Sequence, residues 1–139
     1  MFIVNVEGAI HRNGKWLLIF RNEKEEHAGG SLSLVGGKCE LEGTSSNILE
    51  RTLKREIFEE VGSEVRDLKY VNSSTFVTES GLNVIDIVFL CHYKSGEPYA
   101  RSADEVDEVI WLTTSEIIAH KELPAYLKEN IRQADKMLQ

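Results

Sequence analysis

The sequence predicts a single domain of the α/β or α+β class, a sandwich in which strands surround one central helix and another helix comes last. Three observations carry this. Strand-like alternation and short apolar runs fill residues 2–20 and 65–112. Between them, Ile48, Leu49, Leu53, Ile57 and Val61 recur near helical spacing and mark one apolar helix face. A last segment from about Leu123 to Leu138 has Pro124 near its first turn, where proline suits a helix start. The 139 residues suffice for one core and one domain spanning 1–139.

Taken in order, Phe2, Val4, Val6 and Ala9-Ile10 give the first strand, over residues 2–11. Asn13-Gly14 predicts a hairpin turn, and Trp16-Leu17-Leu18-Ile19-Phe20 returns as a mostly buried strand. Glu23 to Gly30 reads as a charged loop, and Ser31 to Val35 as a short strand running into a turn-permissive Gly36-Gly37. Asn47 stands where a helix N-cap belongs, with Glu50 placed to complete a capping-box-like pair. Gly62 closes that helix as a left-handed C-cap. Val65–Asn72, Thr75–Thr78 and Leu82–Tyr93 read as strands, the last two split by Ser80-Gly81, and Val84–Leu90 is apolar enough to be central. Ser95-Gly96-Glu97-Pro98 predicts a turn and Val109–Leu112 a short strand. Thr113 or Thr114 caps a short helix through Ile118.

Composition narrows the function. Net charge is -7, and such a surface repels phosphate backbones, which argues against a nucleic acid polymer as partner. No apolar run approaches bilayer length, and Met1-Phe2-Ile3-Val4 lacks the basic start of a signal peptide, so no membrane partner is expected. Cys39 and Cys91 lack C-x-x-C spacing and point to a reducing compartment, read here as the cytoplasm. His11, His27, His92 and His120 are scattered, with no pair at metal-ligand spacing. A homodimer is compatible with the sequence.

The most informative stretch is Arg55-Glu56-Ile57-Phe58-Glu59-Glu60-Val61-Gly62. Glu56, Glu59 and Glu60 fall at i, i+3 and i+4, which brings their carboxylates to one helix face, offset from the apolar one. Like charges at that spacing destabilise a bare helix by a few tenths of a kcal/mol per pair. A hard divalent cation reverses the sign, because oxygen ligands are what Mg²⁺, Mn²⁺ and Ca²⁺ prefer. A solvated acidic face is the plainer reading of a Glu-rich helix; the upstream glycine pair and the terminal glycine make the pattern narrower.

With those residues set out, Gly36 to Val65 resembles the signature of the Nudix hydrolases, G-x5-E-x7-R-E-U-x-E-E-x-G-U, where U is a bulky aliphatic. Arg55, Glu56, Ile57, Glu59, Glu60 and Gly62 stand in place, and Ser63 departs at the last aliphatic position. The stretch from Gly37 to Arg55 is four residues longer than the pattern, and the position of the first signature Glu is taken by Gly43 or Asn47, depending on the end from which one counts. Glu40 and Glu42 are the carboxylates of that enlarged loop. The resemblance implies a mixed β-sheet between helices, an α/β/α sandwich. It also implies a Mg²⁺- or Mn²⁺-dependent hydrolase (a pyrophosphohydrolase) that cleaves a nucleoside diphosphate linked to another moiety, with a small nucleotide-type substrate. By that resemblance Glu59 and Glu60 are metal ligands, and Glu56 is ligand, base or both. Backbone carbonyl oxygen of Gly36 or Gly37 completes the coordination, and the block Asp104, Glu105, Asp107, Glu108 supplies a further carboxylate, for which Glu105 is chosen. Arg55 supports the site by pairing with Glu59, four residues on. Arg21 and Lys38 are candidates for phosphate contact, though a simply exposed Lys38 is the preferred reading. Phe76 and Tyr99 could stack on a base, whereas Trp16 and Trp111 belong to packing. The competing function is a non-catalytic module of the same fold that binds a nucleotide or a partner.

Overall fold

The computed structural model describes residues 1–21 and 31–138, so the charged loop expected at Glu23–Gly30, with His27, lies outside the described residues. Within them the chain runs β1 (Phe2–Arg12), β2 (Lys15–Arg21), β3 (Leu32–Ser33), β4 (Val35–Lys38), α1 (Ile48–Val61), β5 (Glu64–Val77), β6 (Asn83–Ser95), β7 (Val106–Thr113), α2 (Thr114–Ala119) and α3 (Ala125–Lys136). The strands form one sheet in the order β3-β2-β1-β6-β5, with β4 beside β1 and β7 beside β2. The β1–β6 pairing is parallel from Phe2 opposite Asn83 to His11 opposite His92, and the remaining pairings are antiparallel. The sheet is therefore mixed, as expected.

Two cores lie on its two faces. Val6, Ile10, Leu17 and Ile19 pack against Leu53, Ile57 and Val61 of α1. Ala9, Trp16, Leu18, Val88 and Leu90 pack against Ile117 of α2 and Leu127, Ile131 and Ala134 of α3. Strand β2 contributes to both, which is why its apolar run does not alternate with polar residues. The buried Trp16 indole donates to Thr114 Oγ1 at 2.8 Å, so packing accounts for that residue. No helix among the described residues is long and apolar enough to cross a membrane.

The Asn13-Gly14 turn forms with both residues at positive φ, 49° and 78°, and pairs Arg12 with Lys15. Beyond that hairpin β1 and β2 separate. The half of β1 from Asn5 to Gly8 takes β4 as its neighbour, while β2 pairs with β3 and β7. Several expectations need correction. Gly36-Gly37 is not a bend but two residues of β4, facing Glu7 and Val6. Thr75–Thr78 is not a separate strand, because β5 continues through Ser73 and Ser74 on the regular pairing of Asn72–Val77 with β6. Asn47 is the N-cap of α1 by position, but it is left-handed (φ 56°) and its side chain makes no capping bond, so no capping box with Glu50 forms. Helix α3 begins at Ala125, with Pro124 as its cap residue.

Candidate active site

Strand β4 lies so close to β1 that position 36 has no room for a side chain: a Cβ there would enter the backbone of Val6 and stand 2.8 Å from Glu7 Cα. At position 37 the obstacle is different, since a Cβ would stand 2.7 Å from Glu56 Oε2. The glycine pair thus lets β4 reach β1 and lets the Glu56 carboxyl rest on the strand backbone.

Helix α1 then carries its acids into unequal surroundings. Leu53, Ile57 and Val61 are buried against the sheet. The stripe beside them is Thr52, Glu56 and Glu60, at i, i+4 spacing; Glu56 lies against Gly37 of β4 and Glu60 against Arg21 at the end of β2. Glu60, expected on the charged face, is buried at 1% exposure, whereas the Glu59 side chain is 54% exposed. Arg21, at the end of β2, donates from Nη1 to Glu60 Oε2 at 3.2 Å and from Nε to Ser33 Oγ at 3.1 Å. Among the described residues the other Glu60 oxygen, Oε1, is buried without a hydrogen-bond partner. Arg55 reaches Glu56 Oε1 at 3.4 Å and Glu59 Oε1 at 3.8 Å.

The C-terminus of α1 positions the last acid. Gly62 is left-handed (φ 73°) and its N–H closes on Phe58 O. The carbonyls still unpaired there are taken by the segment after β6. Tyr99 N–H donates to Val61 O at 3.1 Å, and the N–H groups of Arg101 and Ser102 both donate to Glu60 O. The Arg101 guanidinium lies 4.8 Å from the Phe58 ring centroid, over the helix end that favours a cation. Docking this segment brings Glu105 within electrostatic reach of Glu56 and Glu60.

The charges respond. Burial pushes the Glu60 carboxyl up to about 7; Arg21 draws it down, while Glu105 and Glu56 push it further up. Burial and then Glu59 raise Glu56, against the pull of Arg55. Glu42 is held low by its hydrogen bonds to Arg51 and Ser45, and Arg51 also donates to Ser46 O at 2.7 Å. That pairing ties Glu42 to the first turns of α1, where among the described residues no hydrogen bond or ion pair joins it to Glu56, Glu59 or Glu60.

The structure thus gathers Gly37, Glu56, Glu59, Glu60, Glu105, Arg21 and Arg55 into one constellation. It does not bring in Lys38 or Phe76: Lys38 is exposed opposite Asn5, Phe76 is exposed on the outermost strand, and among the described residues no hydrogen bond or ion pair joins either to the acids. Tyr99 sits against Gly62. Sequence reasoning missed Ser33, which anchors Arg21, and a second acidic group on the opposite sheet face. There Glu7 is hydrogen-bonded to Asp86, and Asp86 accepts from Asn5 Nδ2 at 2.7 Å. Burial first and that shared bond next raise Glu7 well above the usual carboxylate range. Its one sequence signal was a Glu and an Asp at inward positions of two apolar strands.

As placed, the arginines hold the α1 acids apart, and among the described residues no three His, Cys, Asp or Glu side chains are gathered tightly enough to enclose a cation. The donor chemistry nevertheless fits a hard divalent ion. Carboxylate oxygens surround the site, the buried Glu60 Oε1 lacks a partner, and Gly37 leaves room where a side chain would close the space.

Comparison with known proteins identifies the family and agrees with the fold. Residues 2–134 match the family model of the NUDIX domain. No curated protein matches the sequence. Among solved structures, a MutT NUDIX hydrolase from Burkholderia pseudomallei is similar at 26% identity and a TM-score of 0.80, covering 96% of this chain and 98% of that one. A MutT protein from Methanosarcina mazei Go1 is similar at 26% identity and a TM-score of 0.80, with coverages of 99% and 96%. The NUDIX domain of Shewanella oneidensis NrtR, solved with ADP ribose, shares the fold at 18% identity and a TM-score of 0.77, covering 100% of this chain and 90% of that one. With the family model spanning nearly the whole chain and the acids of α1 gathered beside β4, the chain belongs to the Nudix domain family, with the build of its MutT-type hydrolases.

Proposed function

We propose that this protein hydrolyses the pyrophosphate linkage of a nucleoside diphosphate joined to another moiety, with Mg²⁺ or Mn²⁺ as cofactor. The observation that carries this reading is the buried, half-partnered Glu60 carboxylate flanked by Glu56 and Glu105. A buried acid with like charges beside it is unfavourable unless a cation or a proton relieves it. Similarity to structures described as MutT NUDIX hydrolase and MutT protein supports a small nucleotide-type substrate.

Glu56, Glu59, Glu60 and Glu105 would hold the ion, with a backbone carbonyl at Gly37. When bound, the ion supplies charge neutralisation at the phosphate oxygens and acidification of water. The protein does the rest. Arg21 holds Glu60, and Ser33 fixes Arg21. Arg55 bridges Glu56 and Glu59 and so orients both. Glu56, seated on Gly37 with its proton affinity raised, is placed to take a proton at its carboxylate as water attacks phosphorus. The reaction needs residues of one chain only, so a homodimer is not required for it. Free thiols at Cys39 and Cys91 support a cytoplasmic setting.

The test is a panel of nucleoside triphosphates, ADP-ribose, dinucleoside polyphosphates and nucleotide sugars, incubated with Mg²⁺ or Mn²⁺ and analysed by product mass. Cleavage at a pyrophosphate is expected for the parent. Glu59→Gln and Glu60→Gln should each fall by at least about 100-fold while staying folded. Glu42→Gln should fall far less. Binding without release would establish the non-catalytic reading instead.

A further inference from the structure

Where α1 meets the start of β5 and the end of β6, a cavity of about 420 Å³ opens, lined by Lys54, Arg55, Phe58, Glu64, Val65 and Lys94. Small-molecule sites run from roughly 300 to 1,000 Å³. The charge here is the reverse of the chain's. Net charge is -7, yet three cationic side chains line the cavity beside one carboxylate. That carboxylate, Glu64, stands 3.9 Å from Lys94, while among the described residues Lys54 makes no ion pair. Phe58 is 45% exposed, a ring left open among ammonium and guanidinium groups. Such a wall offers a stacking face and phosphate donors together. Arg55 is the link to the acids. It lines the cavity, and its guanidinium also reaches Glu56 and Glu59, which do not.

We propose that this cavity is a second ligand site, for a nucleoside monophosphate, and that its occupancy tightens the cation at the acids of α1. The base lies against Phe58 and the phosphate is held by Lys54, Arg55 and Lys94. Charge and shape select this occupant, because a mononucleotide joins a flat ring to a phosphate within a cavity of this size. The reaction proposed above releases such a nucleotide; its choice as occupant and the coupling to the cation rest on that reading. The coupling has a definite sign. Arg55 offsets the charge of Glu56 and Glu59. A phosphate on Arg55 takes up part of that positive charge, so the acids hold a divalent ion more tightly. Linkage makes the effect reciprocal, and the ion tightens the nucleotide by the same factor.

Calorimetric titration of AMP into the full chain in chelator reads the site without the cation. AMP should bind, and Phe58→Ala and Lys54→Glu should each weaken it on the order of 10-fold, with circular dichroism showing both folded. Inorganic phosphate and adenosine, each half of the ligand, should bind at least about 10-fold more weakly than AMP. Electron paramagnetic resonance of free Mn²⁺, without substrate, reads the coupling. At the AMP concentration that saturates the parent, Mn²⁺ affinity should rise about 5-fold, and Phe58→Ala should lose most of that rise. Glu60→Gln should lose the Mn²⁺ and still bind AMP in chelator. Both readouts are of binding, so an absence of turnover and a failure of this site are separate results. No AMP binding in chelator overturns the proposal. So does binding that Phe58→Ala and Lys54→Glu leave intact, or a Mn²⁺ affinity indifferent to AMP.

Discussion

Glu60 concentrates the conflict on which the site is built, because a carboxylate at 1% exposure keeps one oxygen unpaired among the described residues. Its folded value, about 7, is raised above the ordinary 4.5, so the folded state binds the proton more tightly than the unfolded chain does. In chelator, the contribution of Glu60 to stability should therefore be lost as pH rises from about 4.5 to about 7, roughly 3 kcal/mol, and the raised Glu7 and Glu56 should add losses of the same sign. Denaturant melts at pH 5 and pH 8 measure this. Glu60→Gln should remove that share, leaving the slope due to Glu7 and Glu56, and, without cation, be more stable than the parent at pH 8, though it loses turnover. An unchanged profile would mean that Glu60 is not the buried acid that matters. The two glycines separate in the same way. Gly36→Ala meets the backbone of Val6 and Glu7 and should destabilise the fold. Gly37→Ala meets only the movable end of Glu56, so the fold should survive while turnover drops by about 100-fold, the cost of a displaced catalytic group. Equal melting temperatures for the two variants would contradict that division. The spacing of Glu56, Glu59 and Glu60 was legible in the sequence because helix periodicity fixes it. The burial of Glu60 and its pairing with Arg21, 39 residues away, were not, because they depend on where β2 ends relative to α1.

Helix ends show how far local signals reach. At α2 the expected cap forms in full: Thr113 Oγ1 accepts from Glu116 N–H at 3.1 Å, and the Glu116 carboxylate accepts from Thr113 N–H at 2.8 Å. Thr113→Ala should cost about 1 kcal/mol of stability. At α1 the same kind of signal fails. Asn47 is the cap by position, but its left-handed backbone turns the side chain away from the first turn. Asn47→Gly, which suits that backbone, should change stability by no more than about 0.5 kcal/mol. Chemical denaturation of both variants checks the contrast, and a larger loss at Asn47 would refute it. The hairpin at Asn13-Gly14, the strands β1, β2 and β6 and the C-cap at Gly62 were readable for a similar reason, since turn chemistry and alternation act over a few residues. Gly36-Gly37 misled because close approach to β1, a long-range contact, uses the residue type that turns also use. The continuity of β5 was hidden because Ser73 and Ser74 look like a break, yet β6 holds them in register through Ile87 and Asp86.

For the whole molecule, the unfavourable term at the acids implies a linkage between cofactor and fold. The two cores lie on the two faces of the mixed sheet, so the cation-free domain should fold. It folds, however, with Glu56, Glu59, Glu60 and Glu105 in electrostatic reach within one group, relieved in part by Arg21 and Arg55. A cation that binds this set in the folded state alone stabilises the fold by mass action, about 2.7 kcal/mol at a hundred times its Kd. For a chain of this size that is a rise in Tm of roughly 10 °C. The rise should be larger at pH 8 than at pH 5, because protons compete for the same carboxylates at low pH. Thermal melts in chelator, Mg²⁺ and Mn²⁺, at both pH values, measure it without reference to any substrate. Glu60→Gln should lose most of the shift, whereas Glu42→Gln should keep it, since Glu42 is paired with Arg51 in the first turns of α1. A rise in the parent that Glu60→Gln retains in full would place the cation elsewhere and separate the acids of α1 from the metal.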